Sequence, residues 1–377
     1  MVSFSAAETW TLSRALQQAR KANPDMVSAR HRIASAQAAL LKARSALWPR
    51  IVAETGYMAT NNPPAVFMAV LNQRQLTFDR DFNDPDTTDN WGSELRVEYS
   101  LYTGGARKAD IEAATLGVSA ANDERLAIEQ SLALQVAEAY YRVFQARDLV
   151  SIASDSLQSH RANLAQAKKL VASKVALQTA VLDLEVKVAE GEANLEVARG
   201  AQTIRKEFLQ MLLGHEDHET LSVSEEMTIL APVAPHENGE RYDLLALARR
   251  RSQADQGVRV AKAGQRPTVG AYASTRHDEG FTESDGGNSW GLGLSLSWNV
   301  FDGGKTLAEI RSAEAQRALA HETERKKHLA IRLEIAKAQT SMTTAHFRIT
   351  HARKAIASAK ESLAITQARF RDGLALA

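Results

Sequence analysis

The sequence predicts a mainly α fold in which two similar units each carry a β-hairpin and very long coiled-coil helices. Three observations predict it. The chain repeats itself: Trp91–Ala114 reads WGSELRVEYSLYTGGARKADIEAA and Trp290–Ala313 reads WGLGLSLSWNVFDGGKTLAEIRSA, at an offset of 199 residues. Within each copy, apolar and polar residues alternate before a Gly-Gly pair. After each Gly-Gly pair, apolar residues recur at 4-3 spacing over a long stretch almost free of Gly and Pro. A long-period repeat fixes the architecture before any single element does, because each copy is one structural unit. A second pair of segments, Asp25–Pro49 and Asp243–Pro267, matches upstream, each 25 residues long.

The elements follow in order. The first repeat covers residues 1–214. Its opening helix runs from Leu12 to Leu47, with Asn23-Pro24-Asp25 as a break and restart. Proline suits a first helical turn, and aspartate favours the positive end of the helix dipole. Pro49 ends this helix as Pro267 ends its equivalent, since a residue before proline avoids the helical region. A strand over 49–59 follows. Residues 60–91 are rich in Asn, Asp and Pro and read as a long surface loop. A second strand over 92–102 leads into a long helical hairpin over 105–213, which turns near Ser173-Lys174-Val175 and closes at Gly214 as C-cap. Residues 215–240 are a linker. The second repeat, 241–377, has a helix, strands over 267–276 and 289–301, and a long helix over 304–370. Its loop is 19 residues shorter than that of the first repeat.

The strand pattern has period two. Leu95, Val97, Tyr99 and Leu101 face one way, Glu94, Arg96, Glu98 and Ser100 the other. Leu292, Leu294, Leu296, Trp298 and Val300 do the same in the second repeat. Soluble sandwiches show this pattern, and so do membrane barrels with aromatics at the interface. Trp91, Trp290, Tyr102 and Phe301 stand where strand ends are expected. The helices tip the balance. One seam runs Leu132, Val136, Ala139, Val143 and on to Val171; the other runs Ile331, Ile335, Ala338, Met342 and on to Phe370. Spacing of 4-3 is a coiled-coil repeat. A helix of about 67 residues is about 100 Å long at 1.5 Å per residue, and a globular enzyme has little use for two such rods.

Composition closes off several classes. Net charge is +1, and Lys and Arg are interleaved with Asp and Glu, so no nucleic-acid partner is implied. Cysteine is absent, which excludes disulfides, thiolate metal sites and cysteine catalysis, and leaves no acceptor for a lipoprotein anchor. No apolar run reaches the roughly 18 residues of a membrane-spanning helix. The opening MVSFSAAETW is too short and polar for a secretory signal. It fits a remnant around a cleavage site or a trimmed start.

Other constellations carry less. Gly214-His215-Glu216-Asp217-His218-Glu219 has the residue types of a zinc or nickel site, but it sits after a helix end, where polar residues are expected anyway. His160 lies on the first seam, and its repeat equivalent is Ala359, which points to packing. The Gly-Gly pairs at 104 and 303 lack the rest of a phosphate-binding motif and are better read as backbone turns. No catalytic arrangement stands out, so no enzyme and no cofactor are expected.

The chain resembles the TolC-like outer membrane efflux protein family. The residues that carry the resemblance are WTLSRALQQARKANPDMVSAR, ALWPRIVAETGY, and above all SLYTGG and NVFDGG at the strand-to-helix junctions. VFMAVLNQRQLTFDRDFNDP is similar to the family's first external loop. The resemblance implies a homotrimer in which each protomer gives four strands to one barrel in outer-membrane lipid of a Gram-negative bacterium. The helices would then form a periplasmic tunnel docked on an adaptor (membrane fusion) protein and an inner-membrane transporter of the RND or ABC type. Elementary physics asks for an oligomer too: four strands cannot close a barrel, and open edges are not tolerated in lipid. The sequence by itself would also permit a dimer.

The resemblance also marks candidate residues. Pro49, Gly104, Gly105, Pro267, Gly303 and Gly304 form the strand–helix junctions. Lys174, Val175, Asp183, Phe370, Arg371, Asp372 and Gly373 are candidates for the periplasmic tips and gate. The family usually has Gly and, six residues on, Asp at the first tip; here Lys174 and Ala180 stand there. By the 199-residue offset, Ala377 corresponds to Gln178, so a returning helix is expected after the last residue. The expected function is a passive exit duct of a tripartite efflux or type I secretion system. The competing expectation is a periplasmic coiled-coil adaptor or scaffold without a channel.

Overall fold

The computed structural model describes residues 9–175, 177–215, 222–223, 241–281 and 286–371. In chain order the elements are β1 (Thr9–Trp10), α1 (Leu12–Ala22), α2 (Pro24–Ser45), β2 (Arg50–Thr60), α3 (Pro63–Asn72), β3 (Thr88–Tyr102), α4 (Ala106–Ala172), α5 (Gln178–Leu213), β4 (Ser222–Val223), α6 (Tyr242–Ala263), β5 (Thr268–Glu279), β6 (Gly287–Ser297) and α7 (Lys305–Arg371). They fall into two compact units. One holds the described residues of 1–32, 122–244 and 326–377; the other holds 33–121 and 245–325.

The second unit is built on an antiparallel sheet ordered β2-β3-β5-β6. Pairing runs from Arg50↔Glu98 to Thr60↔Thr88, from Trp91↔Glu279 to Tyr102↔Val269, and from Thr268↔Ser297 to Asp278↔Gly287. A bulge between Ser100 and Tyr102 shifts the register at the helix end of β3. Two expectations need correction here. The loop expected over 60–91 contains α3, and β3 begins at Thr88. Asn62 accepts a hydrogen bond from the Ala65 amide (3.3 Å) and prolines fill the first turn. Asn-Pro-Pro is thus a helix start, although the composition around it reads as loop. The strand expected over 289–301 stops at Ser297. Trp298 and Val300 continue the alternation, but Pro267, which the register would place opposite Trp298, has no amide hydrogen to give.

The other unit packs the break in the first helix against the end of α5. Asn23 donates from Nδ2 to the Leu212 carbonyl (2.9 Å), and its Oδ1 accepts from the Asp25 amide (2.8 Å). Arg30 reaches back from α2 to the Arg20 and Lys21 carbonyls (2.7 and 3.2 Å), so a cation closes the C-terminal end of α1. Gly214, at φ +72°, ends α5, and a Cβ there would lie 2.5 Å from the Ala22 carbonyl oxygen. The core of this unit joins Trp10, Met26, Tyr140, Phe144, Leu209 and Leu213. The buried Tyr140 hydroxyl donates to the Trp10 carbonyl (2.8 Å). β1 pairs in parallel with β4. Two-residue strands have no period for a sequence to display.

The seam of α4 is buried or half-buried from Leu132 to Val171. Its partner is α5: a Cβ on Gly191 would already lie 3.2 Å from Leu157 Cδ1, and Arg161–Glu192 (2.7 Å) and Lys168–Glu185 (3.0 Å) flank the contact. His160 lies beside Gly191 in the same contact. The seam of α7 is different. Ile331 is buried, whereas Ile335, Met342, Ile356 and Leu363 are exposed. Near its buried end, α7 is tied to the start of α6 by a network of Arg241, Asp243, Lys327 and Glu334, with Arg241–Asp243 at 2.7 Å and Lys327–Asp243 at 2.9 Å. The hydrogen bond from Arg241, helped by Lys327, holds the Asp243 carboxyl well below the usual carboxylate range.

Candidate functional site

The sheet has two chemically opposite faces. Registered partners share a face, so Ile51, Tyr57, Trp91, Leu95, Val97, Trp290, Leu292, Leu294 and Leu296 lie together on one side. Most of them are exposed, Leu294 at 75%. Arg50, Glu54, Glu94, Arg96, Glu98, Arg276 and Asp278 lie on the other side, with Arg96 and Arg276 paired to Glu94 (2.8 and 3.7 Å). Tyr57, Trp91 and Phe281 cluster with ring centroids 5.5–6.5 Å apart at the loop end. Trp91 and Trp290 are thus each the fourth residue of their strand, β3 and β6, rather than at a strand end. β2 and β6 are both edge strands, with one side unpaired within the chain.

The junction residues stand at corresponding places in both repeats. Pro49 and Pro267 immediately precede β2 and β5. Gly104 and Gly105 have φ of +64° and +98°; Gly303 and Gly304 have +67° and +89°. Glycine alone adopts two such angles in succession at little cost. The helices that follow are capped at equivalent positions. Thr103 accepts from the Arg107 amide (3.2 Å) at α4; Asp302 accepts from the Gly304 and Thr306 amides (3.0 and 2.9 Å) at α7. The hydrogen bond from the Thr306 hydroxyl, helped by these amides, holds the Asp302 carboxyl below its ordinary value. Arg266 ties the two junctions by donating to the Gly104 carbonyl (3.0 Å). The space is not equal, however: a Cβ on Gly104 would meet the Ala263 carbonyl oxygen at 2.7 Å, and one on Gly303 would meet nothing within 4 Å.

Lys174 has φ +60°. Its amide donates to the Val171 carbonyl and the Val175 amide donates to Leu170 (both 2.9 Å). That is a Schellman closure with lysine in the left-handed place. Asp183 is exposed on α5. Phe370 and Arg371 end α7, and their side chains lie outside the described residues, as do Asp372 and Gly373. Glu216–Glu219 of the His/Glu string also lie outside them; His215 sits edge-on to Trp10, centroids 5.3 Å apart.

One cluster was not foreseen. Asp278, 1% exposed, receives two hydrogen bonds from Arg276 (2.8 and 2.9 Å) and one from Asn90 (2.7 Å). Asn90 in turn accepts from Gln73, at the C-cap of α3 (2.8 Å). The strand alternation marks Arg276 and Asp278; Gln73 is hidden in a segment whose composition reads as loop.

The sequence matches the family model described as outer membrane efflux protein over residues 15–215 and 237–377. The chain belongs to the outer membrane efflux protein family. An outer membrane efflux protein is a channel and not an enzyme, placed in the bacterial outer membrane with a periplasmic helical extension. Channels of this family are trimers in tripartite efflux systems. Among curated relatives, outer membrane protein TolC of Vibrio cholerae serotype O1 is 23% identical over 382 residues, covering 98% of this chain and 83% of the relative. Outer membrane efflux protein BepC of Brucella suis biovar 1 is 23% identical over 374 residues, covering 96% and 75%. In fold, the chain is similar to the Campylobacter jejuni CmeC outer membrane channel, with a TM-score of 0.85 at 14% identity over 100% of this chain and 82% of that one. The Vibrio cholerae outer membrane protein VceC gives 0.77 at 20% identity, covering 97% and 87%.

Proposed function

We propose that three copies of this outer membrane efflux protein close one twelve-stranded barrel, with β6 of each protomer pairing with β2 of the next. The observation that carries this is the sheet itself: an exposed apolar face, a charged opposite face and two open edges. Lipid satisfies the apolar face but no edge, so the edges must pair with other copies. The charged face with Glu54, Glu94, Arg96 and Glu98 then lines a water-filled lumen. A periplasmic adaptor would have no use for such a face. The exposed seam of α7 meets a neighbouring helix in the tunnel wall. Gly104–Gly105 and Gly303–Gly304 carry the chain from barrel to tunnel. Lys174, Val175 and Asp183, with Phe370 and Arg371 at the end of α7, belong to the periplasmic tips, where an adaptor and an RND or ABC transporter engage. Transport energy comes from that transporter. Purified protein in detergent should run as a trimer on an unboiled gel and give ion conductance in planar bilayers. A monomer without conductance would reject the assembly.

A further inference from the structure

α3 belongs to the first loop, yet it does not extend away from the sheet. It folds onto the polar face. Asn90 and Asp278 project from that face, and Gln73 reaches them from the end of α3: Gln73 Nε2 donates to Asn90 Oδ1 (2.8 Å) and to the Asp89 carbonyl (2.7 Å). Asn90 Nδ2 donates onward to Asp278, which Arg276 grips with two hydrogen bonds. Gln73, Asn90 and Asp278 are buried, at 2%, 7% and 1% exposed, while Arg276 closes the chain from the half-exposed side. Charge-assisted bonds to a buried carboxylate are strong and directional.

Two further features hold α3 in place. Gly287, also on the polar face, lets the helix come close: a Cβ there would stand 1.8 Å from the Asn72 carbonyl oxygen. Arg74 takes φ +65°, and the Gln75 amide donates to the Val70 carbonyl (2.9 Å), which closes the helix. Arg74 also donates to the Asn288 carbonyl (3.0 Å). Strain of this kind persists only where the surroundings over-determine it. Val66, Ala69 and Val70 are buried, while Phe67, Met68 and Leu71 are exposed on the other side of the helix.

We propose that α3 is a hydrophobic constriction inside the external mouth of the channel, positioned by Gln73, Asn90, Asp278 and Arg276. This rests on the barrel reading, in which the polar face points to the lumen. Three copies bring Phe67, Met68 and Leu71 of each protomer toward the axis. An apolar ring hinders hydrated ions and large polar solutes while letting amphipathic cargo pass. Gln73 is the positioning residue that sets this selectivity.

The test compares single-channel conductance of the wild-type trimer with Gln73→Ala and Gly287→Val, with Gly56→Ala as control because nothing lies within 4 Å of a Cβ there. Both variants should conduct about twofold or more above wild type, and the control should not differ. Because the chain has no cysteine, Met68→Cys gives a single reactive thiol on the exposed side of α3, which leaves the network intact. A bulky charged thiol reagent added on the loop side should change its conductance and leave wild type unaffected. If wild type forms conducting trimers and neither the network variants nor the adduct alter conductance, α3 is not in the mouth and the proposal is overturned. If wild type gives no trimer, the barrel reading fails first and the constriction with it.

Discussion

Lys174 shows how a single residue departs from what its backbone position favours. A non-glycine residue in the left-handed region costs about 1–2 kcal/mol, and the Schellman closure at the tip of the α4–α5 hairpin forces that region here. Glycine takes that region without the steric cost. Glycine loses more entropy on folding, which offsets part of the gain. Lys174→Gly is therefore expected to raise stability by about 1 kcal/mol, seen as a higher midpoint in thermal circular dichroism. A lower midpoint would mean that the lysine side chain makes a stabilising contact that the backbone argument omits. The Gly-Gly junctions teach the same lesson in reverse. Gly104 and Gly303 share a φ sign, but only Gly104 is also crowded, by Ala263.

At the level of elements, the two seams have the same sequence pattern and different surroundings. Val143, 1% exposed, is packed in the core that α4 shares with α1 and α5; Met342 is 37% exposed on α7. An aspartate placed in a sealed core costs about 2–7 kcal/mol even if it takes a proton. Val143→Asp should thus unfold the helical unit at a much lower denaturant concentration in the dissociated protein. Met342→Asp should leave that midpoint nearly unchanged and instead weaken the trimer on an unboiled gel. Equal midpoints for the two variants would mean that the two seams are equally covered within the protomer and would overturn the distinction. The ion pairs along α4–α5 are exposed and add little to this balance.

For the whole molecule, the orientation of the sheet is the decisive matter. Leu294 and Ser295 are neighbours on the edge strand β6 and project to opposite faces. A charge on the lipid face near the bilayer midplane costs about 2–4 kcal/mol, whereas lumen substitutions are tolerated. Leu294→Arg should lower the amount of trimer recovered from outer membranes, and Ser295→Arg should not. Loss of trimer in both, or in neither, would contradict the assignment of faces. This comparison also tests the ground on which the α3 constriction stands, since α3 lies on the Ser295 side.

The sequence by itself determined the doubling of the unit, the Asn23-Pro24 break, the Gly-Gly turns and the seam of α4. Each of these is a local pattern: a period of two or of 4-3, a proline without an amide hydrogen, or a glycine where the backbone must turn. It also carried the resemblance, through SLYTGG and NVFDGG. It did not show α3, because Asn62-Pro63-Pro64 reads as loop unless a helix is already expected there. Nor did it show the early end of β6, where the register would continue onto Pro267, just before β5. Only the tertiary structure decided that Gln73 meets Asn90 and that Arg276 and Asp278 complete the chain. Those residues are up to about 200 positions apart, and a hydrogen-bond chain across three elements leaves no period in any one of them.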